Sequence, residues 1–218
     1  MIRGVIFDLD GVLVSTDECH FRAWKRMADE EGIPFSREDN ARLRGVSRMQ
    51  SLDIILERAE REYSPDEKDA MAARKNAYYV DLIGELDASS MLPGALDTVR
   101  ALRDAGIRTA IGSSSRNAPL ILDRLGIRNL FDAVADGNQI RRSKPAPDVF
   151  LLAAELLGLS PEECVVVEDA DAGVEAALSA GMRVLGVGEA HHHPRAHLRA
   201  ESLQDANLAA WVAEENRR

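Results

Sequence analysis

Asp8 and Asp10 stand two residues apart in the run Val5-Ile6-Phe7-Asp8-Leu9-Asp10-Gly11. The apolar residues of that run read as a buried strand, and positions i and i+2 of a strand share a face. The two carboxylates therefore converge if extended backbone persists to Asp10. Like charges at the end of a buried strand repel and resist desolvation, so the pair needs a cation or a shared proton. A solvated turn at Gly11 is the plain alternative. Three further places supply partners: Ser113 opens a run of three serines, Lys144 lies in Ser143-Lys144-Pro145-Ala146-Pro147-Asp148, and Glu168-Asp169 follows the apolar Cys164-Val165-Val166-Val167.

Carboxylates, a hydroxyl and a lysine together suit phosphoryl transfer. Mg2+ takes oxygen ligands, usually one or two carboxylates completed by phosphate and water. Asp8, Asp169 and the Asp10 carbonyl are its expected ligands, with Glu168 further out through water. One carboxylate, Asp8, is then able to attack phosphorus, because the cation screens the repulsion between two anions. Ser113 and Lys144 would bind the remaining phosphate oxygens. Asp10 is left for general acid/base work. Each group also has an ordinary reading: the serines and Glu168-Asp169 as helix caps, Lys144 as a solvated side chain. Those readings would have to hold at four strand ends at once.

The elements that must position these groups alternate. From residue 88 onward the pattern predicts helices over 95–105, 117–125, 146–157 and 172–180, and strands over 107–111, 131–135, 164–167 and 183–187. Such alternation predicts an α/β fold with a parallel sheet covered on both faces. Ligands of such sheets sit outside the C-terminal ends of the strands. Between 15 and 87 the pattern changes to helical segments over 18–31, 38–44, 47–62 and 66–85, and no strand is expected. Ser64-Pro65-Asp66-Glu67 reads as a helix start, and Val14-Ser15-Thr16-Asp17 as a hinge and helix cap. The expected organisation is a core of 1–14 and 88–218 with an all-helical cap of 15–87 inserted in it. A last amphipathic helix is expected over 205–214, and a solvated loop at His191-His192-His193.

A net charge of −10 argues against non-specific binding to nucleic acid and means that an anionic substrate must meet local positive charge. No apolar run reaches the length of a membrane span. The chain enters its first strand at once, leaving no place for a signal peptide, and Cys19 and Cys164 have no metal-ligand spacing and are expected as reduced thiols. A cytoplasmic monomer acting on small molecules is the expectation.

The sequence FDLDGVL, the serine loop, the lysine before Pro145 and the Glu168-Asp169 pair resemble the four motifs of the haloacid dehalogenase superfamily. The resemblance implies a Rossmann-like core with a helical cap, an aspartyl-phosphate at Asp8, acid/base catalysis by Asp10, and Mg2+. The segments His20-Phe21-Arg22-Ala23-Trp24-Lys25, Arg44-Gly45-Val46-Ser47-Arg48 with Ser51, and Arg74-Lys75-Asn76 are similar to the cap of the superfamily's phosphosugar mutases. So are Ser115-Arg116-Asn117 and Gly186-Val187-Gly188 on the core side. What this implies is interconversion of β-D-glucose 1-phosphate and D-glucose 6-phosphate through β-glucose 1,6-bisphosphate, with a capped sugar-phosphate phosphatase as the alternative. By the same resemblance Arg48, Ser115, Arg116 and Asn117 grip the distal phosphate. Arg44, Gly45, Ser51, Lys75 and Asn76 line the sugar side, His20 sits near Asp10, and Thr16 contacts Asp10. The family usually has Asp at Ser15 and Lys at Arg44 and Arg116. The two arginines keep the charge but bind phosphate as a fork and not as a point.

Overall fold

The structure is a computed structural model and describes residues 1–43 and 46–218. Its strands are β1 (Gly4–Phe7), β2 (Arg108–Gly112), β3 (Ala133–Ala135), β4 (Cys164–Glu168), β5 (Arg183–Gly186) and β6 (Leu198–Arg199). They form one sheet in the order β3-β2-β1-β4-β5-β6, every pair parallel. The Val- and Ile-rich β1 and β4 are buried along their whole length, as the inner strands of a sheet covered on both faces must be. Alternate residues feed separate clusters. Val5, Phe7, Val165 and Val167 pack with α5 (Ala95–Asp104) and α6 (Ala118–Arg124). Ile6 and Val166 pack with α7 (Asp148–Leu157) and α8 (Asp171–Ser179) on the opposite face. The chain runs outward in both directions from β1, so the C-terminal end of β1 is the point where strand order reverses and a crevice opens.

Between residues 15 and 87 the described residues form helices and no strand: α1 (Asp17–Glu30), α2 (Arg37–Ala41), α3 (Arg48–Leu56) and α4 (Pro65–Ile83). Ser47 and Ser64 open α3 and α4 with reciprocal capping boxes to Gln50 and Glu67, and Pro65 takes the first turn of α4 as the sequence predicts. This block has an apolar cluster of its own, with Trp24, Met27, Leu52, Ile55 and Met71 at its centre. Ala23, Tyr79 and Ile83 belong instead to the cluster beneath the sheet. The two chain crossings between block and sheet lie side by side: Val14 bridges Met91, Ser15 N–H donates to Ser90 O at 3.1 Å, and Leu92 N–H to Leu13 O at 3.0 Å.

Several expected elements are corrected. The helix expected over 47–62 stops at Leu56, because the following Glu57-Arg58-Ala59-Glu60-Arg61-Glu62 offers little to bury. The helix expected over 205–214 is two helices, α9 (Leu203–Ala206) and α10 (Leu208–Glu215), broken where Asn207 takes φ 39°. Strand β6, two residues long, carries no readable period. His191 and His192 lie in a 3-10 turn, and His193 is not solvated: its Nε2 lies 3.1 Å from Glu175.

Because the insert has its own apolar cluster, Leu52→Ala is expected to cost about 2–5 kcal/mol. Urea unfolding monitored by amide hydrogen exchange should show the loss concentrated in α1–α4, with the protection of β1 and β4 kept.

Candidate active site

The parallel register brings the separate motifs to one point. Phe7 pairs with Ile111 on one side and Val167 on the other, so the next residue, Asp8, lies level with the ends of β2 and β4. Asp8 is buried there. Lys144, on the loop before α7, reaches in and donates to Asp8 at 2.5 Å and to Glu168. Its ammonium also lies 4.7 Å from the centre of the Phe150 ring, and its side chain is only 3% exposed. The second oxygen of Glu168 accepts from the backbone N–H groups of Asp169 (2.9 Å) and Ala170 (3.1 Å). A Cβ on Gly173 would overlap the Glu168 carboxylate, so glycine there lets α8 close on it. Gly11, at φ +86°, makes the turn after Asp10, and a Cβ on it would overlap the Asp169 carboxylate. The acids of the first motif and of the last are thus pressed together, although about 160 residues separate them.

Electrostatics at this point are unbalanced. Asp8, Asp10, Glu168 and Asp169 surround Lys144. Burial, opposed by Lys144 and reinforced by Glu168 and Asp10, pushes Asp8 above the carboxylate range. Burial and then the neighbouring Glu168 and Asp8 charges do the same to Asp169. Burial works against the charge on Lys144, yet Asp8 and Glu168 overcome it and hold the ammonium protonated. An excess of buried acid oxygens is the environment a hard divalent cation neutralises. Among the described residues no group of three or more His, Cys, Asp or Glu is arranged to hold a metal by itself. Asp8, Asp169 and the Asp10 carbonyl fit the sparser Mg2+ pattern, which leaves places for phosphate and water. Glu168, with Lys144 and two backbone N–H groups on its oxygens, fits only the outer, water-mediated place.

Two helix starts give up a local bond to serve the site. Thr16 stands at the N-cap of α1 but makes no capping bond: its hydroxyl donates to Asp10. Burial raises the pKa of Asp10, while Thr16 lowers it. Asn117 stands at the N-cap of α6 and likewise caps nothing with its side chain; its amide donates to Asn76 Oδ1 on α4 at 2.9 Å. A capping bond is worth about 1 kcal/mol, so both diversions are functional signals. Between them the serine loop is held by its own hydroxyls. Ser113 Oγ accepts from Ser115 N–H (3.1 Å), and Ser115 Oγ from Asn117 N–H (3.2 Å). Both hydroxyl hydrogens stay available to an anion.

The insert supplies a second charged wall. Arg48 Nη2 donates to the same Asn76 oxygen at 2.7 Å, so Arg48, Asn76 and Asn117 form one chain from insert to rim. Burial and then Arg116 disfavour the charge on Arg48. Lys75 is buried, 3.0 Å from His20 Nδ1, with its ammonium 4.6 Å and 4.5 Å from the Trp24 and Tyr79 ring centres. Burial and Arg48 push its pKa down to about 7. His20 is held neutral by burial, then by Lys75 and Arg48. The ammonium therefore donates to Nδ1, which leaves Nε2–H as the donor. Ser51 is buried in α3, and Arg116 is exposed on the rim. Arg44 and Gly45, also expected on the sugar side, lie outside the described residues. Trp24 lies in the quoted His20–Lys25 segment and Tyr79 in the helix expected over 66–85, and the sequence reading gave neither a role in the site. The available signal for Tyr79 was its place one helical turn after Lys75.

The model of the haloacid dehalogenase-like hydrolases matches residues 2–181. The chain is 44% identical to a β-phosphoglucomutase of Bacillus subtilis, over 95% of this chain and 92% of that protein. It is 34% identical to a phosphorylated-carbohydrate phosphatase of Thermotoga maritima, over 93% of each. Its structure superposes on the crystal structure of a β-phosphoglucomutase from Clostridium difficile with a TM-score of 0.92 at 38% identity, covering 100% of this chain and 98% of that one.

The depressed Lys75 pKa fixes the sign of a pH dependence. The unfolded chain holds the Lys75 proton up to about pH 10.4, and the folded chain releases it near 7. Across that window the unfolded state binds more protons, so this group makes stability rise with pH, and the contribution is lost as pH falls through 7. Lys75→Met is expected to raise the urea midpoint of the ligand-free protein at pH 7, with a gap that narrows toward pH 10. A lower midpoint at pH 7 would mean that His20 and the two rings fully compensate the buried charge.

Proposed function

The chain belongs to the haloacid dehalogenase-like hydrolase family, and within it we propose a phosphosugar mutase that interconverts β-D-glucose 1-phosphate and D-glucose 6-phosphate. The observation that carries this reading is a second group of cations: Arg48 and Lys75 come from the insert, Arg48 shares the Asn76 oxygen with Asn117 of the rim, and the Arg116 charge bears on Arg48. Transfer of one phosphoryl group needs a single phosphate site. A bisphosphate needs two, and guanidinium is the group best shaped for the distal one.

Asp8 is the nucleophile in this reading. Its oxygen forms a bond to phosphorus as the bond from phosphorus to the sugar or donor oxygen breaks, which leaves an aspartyl-phosphate. Lys144 and Ser113 hold the equatorial oxygens of the moving group. When bound by Asp8, Asp169 and the Asp10 carbonyl, with Glu168 beyond, Mg2+ supplies positive charge that offsets the repulsion between carboxylate and phosphate. Asp10, with its raised pKa, takes the proton of the attacking sugar hydroxyl and returns it to the leaving one. Thr16 orients it. Arg48, Arg116, Ser115 and Asn117 hold the distal phosphate. His20, Lys75, Asn76 and Ser51 face the sugar, with Arg44 and Gly45 assigned there by sequence.

Residues 15–87 act as a cap on the core of 1–14 and 88–218, turning about the paired crossings at 13–15 and 90–92. Closure excludes water, so the phosphoryl group passes to a sugar hydroxyl. Opening lets β-glucose 1,6-bisphosphate turn end for end. Phosphatase activity of the same fold is the second reading, favoured by the 34% identity to the Thermotoga maritima phosphatase. It shares the step at Asp8 and ends with water as acceptor.

With Mg2+ and catalytic β-glucose 1,6-bisphosphate, the β anomer of glucose 1-phosphate should give glucose 6-phosphate far faster than inorganic phosphate. Brisk phosphate release without glucose 6-phosphate would replace the mutase by the phosphatase. Arg48→Ala should lower mutase turnover by about 10²-fold or more, the worth of a charge-assisted bidentate contact, and leave hydrolysis of a small phosphate monoester little changed. Equal losses in both assays would assign Arg48 to folding. Asp8→Asn should abolish the phospho-enzyme, whereas Asp10→Asn should slow transfer in both directions and retain ligand binding.

A further inference from the structure

Tyr79 lies on α4 where the insert meets the sheet. Its side chain is fully buried, with its ring 4.1 Å from that of His20. Its hydroxyl has no hydrogen-bond partner among the described residues. A phenylalanine would fill the same space without leaving a polar atom unsatisfied, so the hydroxyl has no use in this arrangement alone. The groups it feels are those of the acid/base center. Burial first, and then the Asp10 charge, raise its pKa, while the Thr16 hydroxyl acts in the other direction.

Thr16 has a single hydroxyl hydrogen, and here it is given to Asp10. In the acid/base cycle Asp10 must turn to a sugar oxygen, and that turn weakens its hold on Thr16. Thr16 is itself buried, at 1% exposure, so a released hydroxyl would be left unsatisfied. Tyr79 offers the missing partner from the cap side.

We infer that Tyr79 is a positioning residue for this reaction: its hydroxyl pairs with Thr16 when Asp10 turns to the sugar. The exchange keeps the number of buried hydrogen bonds constant and frees Asp10 without an unpaired group. Because Tyr79 comes from the cap and Thr16 from the hinge, the exchange also ties the release of Asp10 to the seating of α4. This inference rests on the acid/base reading of Asp10.

Tyr79→Phe removes the hydroxyl and keeps the ring. For β-glucose 1-phosphate, kcat should fall roughly three- to tenfold, the worth of one neutral hydrogen bond. KM and the rate of Asp8 phosphorylation by acetyl phosphate should stay unchanged, because an acyl phosphate needs no acid to expel its leaving group. The thermal midpoint should rise, because the unsatisfied buried hydroxyl is gone. In a Thr16→Val background, Tyr79→Phe should cause no further loss. An unchanged kcat overturns the inference. So does a joint fall of kcat, acetyl phosphate reactivity and midpoint, which would mark a structural role, and so does a full additional loss on top of Thr16→Val. Asp10→Asn run in parallel separates the two readings. If it leaves transfer intact, the acid/base assignment itself fails. If it slows transfer and Tyr79→Phe does not, only the Tyr79 inference fails.

Discussion

Lys144 sits between Asp8 and Glu168 with almost no access to water, and the catalytic end of the sheet is arranged around that contact. Removing a buried ammonium from two carboxylates would leave uncompensated charge in a low-dielectric place, among the most destabilising changes a fold can suffer. The contact in turn demands that β1 and β4 run parallel and in register, that α8 come close enough to require Gly173, and that the loop before α7 fold inward over Phe150. Even so, one cation does not balance four acids. The residual excess at Asp8 and Asp169 suits a divalent ion, so the structural salt bridge and the chemistry come from the same crowding.

The insert is organised on the opposite charge. Arg48, Lys75 and His20 gather where burial disfavours each of their charged forms. Such a wall is poorly satisfied without an anion and well satisfied with one. Together the two parts pair an acid-rich end of the sheet with a cation-rich group from the insert.

Sheet and insert communicate through side chains that forgo local bonds. Thr16 and Asn117 both stand where a helix needs a cap, and both reach across to a group from elsewhere in the chain. The insert keeps its own apolar cluster. Among the described residues the paired crossings, the Thr16–Asp10 and Asn76–Asn117 contacts and the packing of Ala23, Tyr79 and Ile83 help join it to the sheet.

Much of this was legible in the residues. The alternation of apolar runs determined a parallel α/β sheet, and the rule that ligands lie at strand C-termini singled out Asp8, Ser113, Lys144 and Glu168-Asp169 before any coordinates. Helical periodicity between 15 and 87 determined an insert without strands, because period and face are properties of one element and its own spacing. What only the tertiary structure decided involves partners distant in sequence. Lys144 meets Asp8 across 136 residues and Asn117 meets Asn76 across 41, and no local spacing encodes either distance. The Thr16 contact with Asp10 was expected only through the resemblance, and the Asn117 bond to Asn76 was not expected, because a sequence shows which side chains could bond locally, not which find a partner elsewhere. The break at Asn207 and the two-residue β6 are set by packing against neighbours, in segments too short to show a period. The surroundings of the opening pair were decided in the same way: Asp8 and Asp10 are alike in type, and they differ because Lys144 packs on one and Thr16 bonds the other.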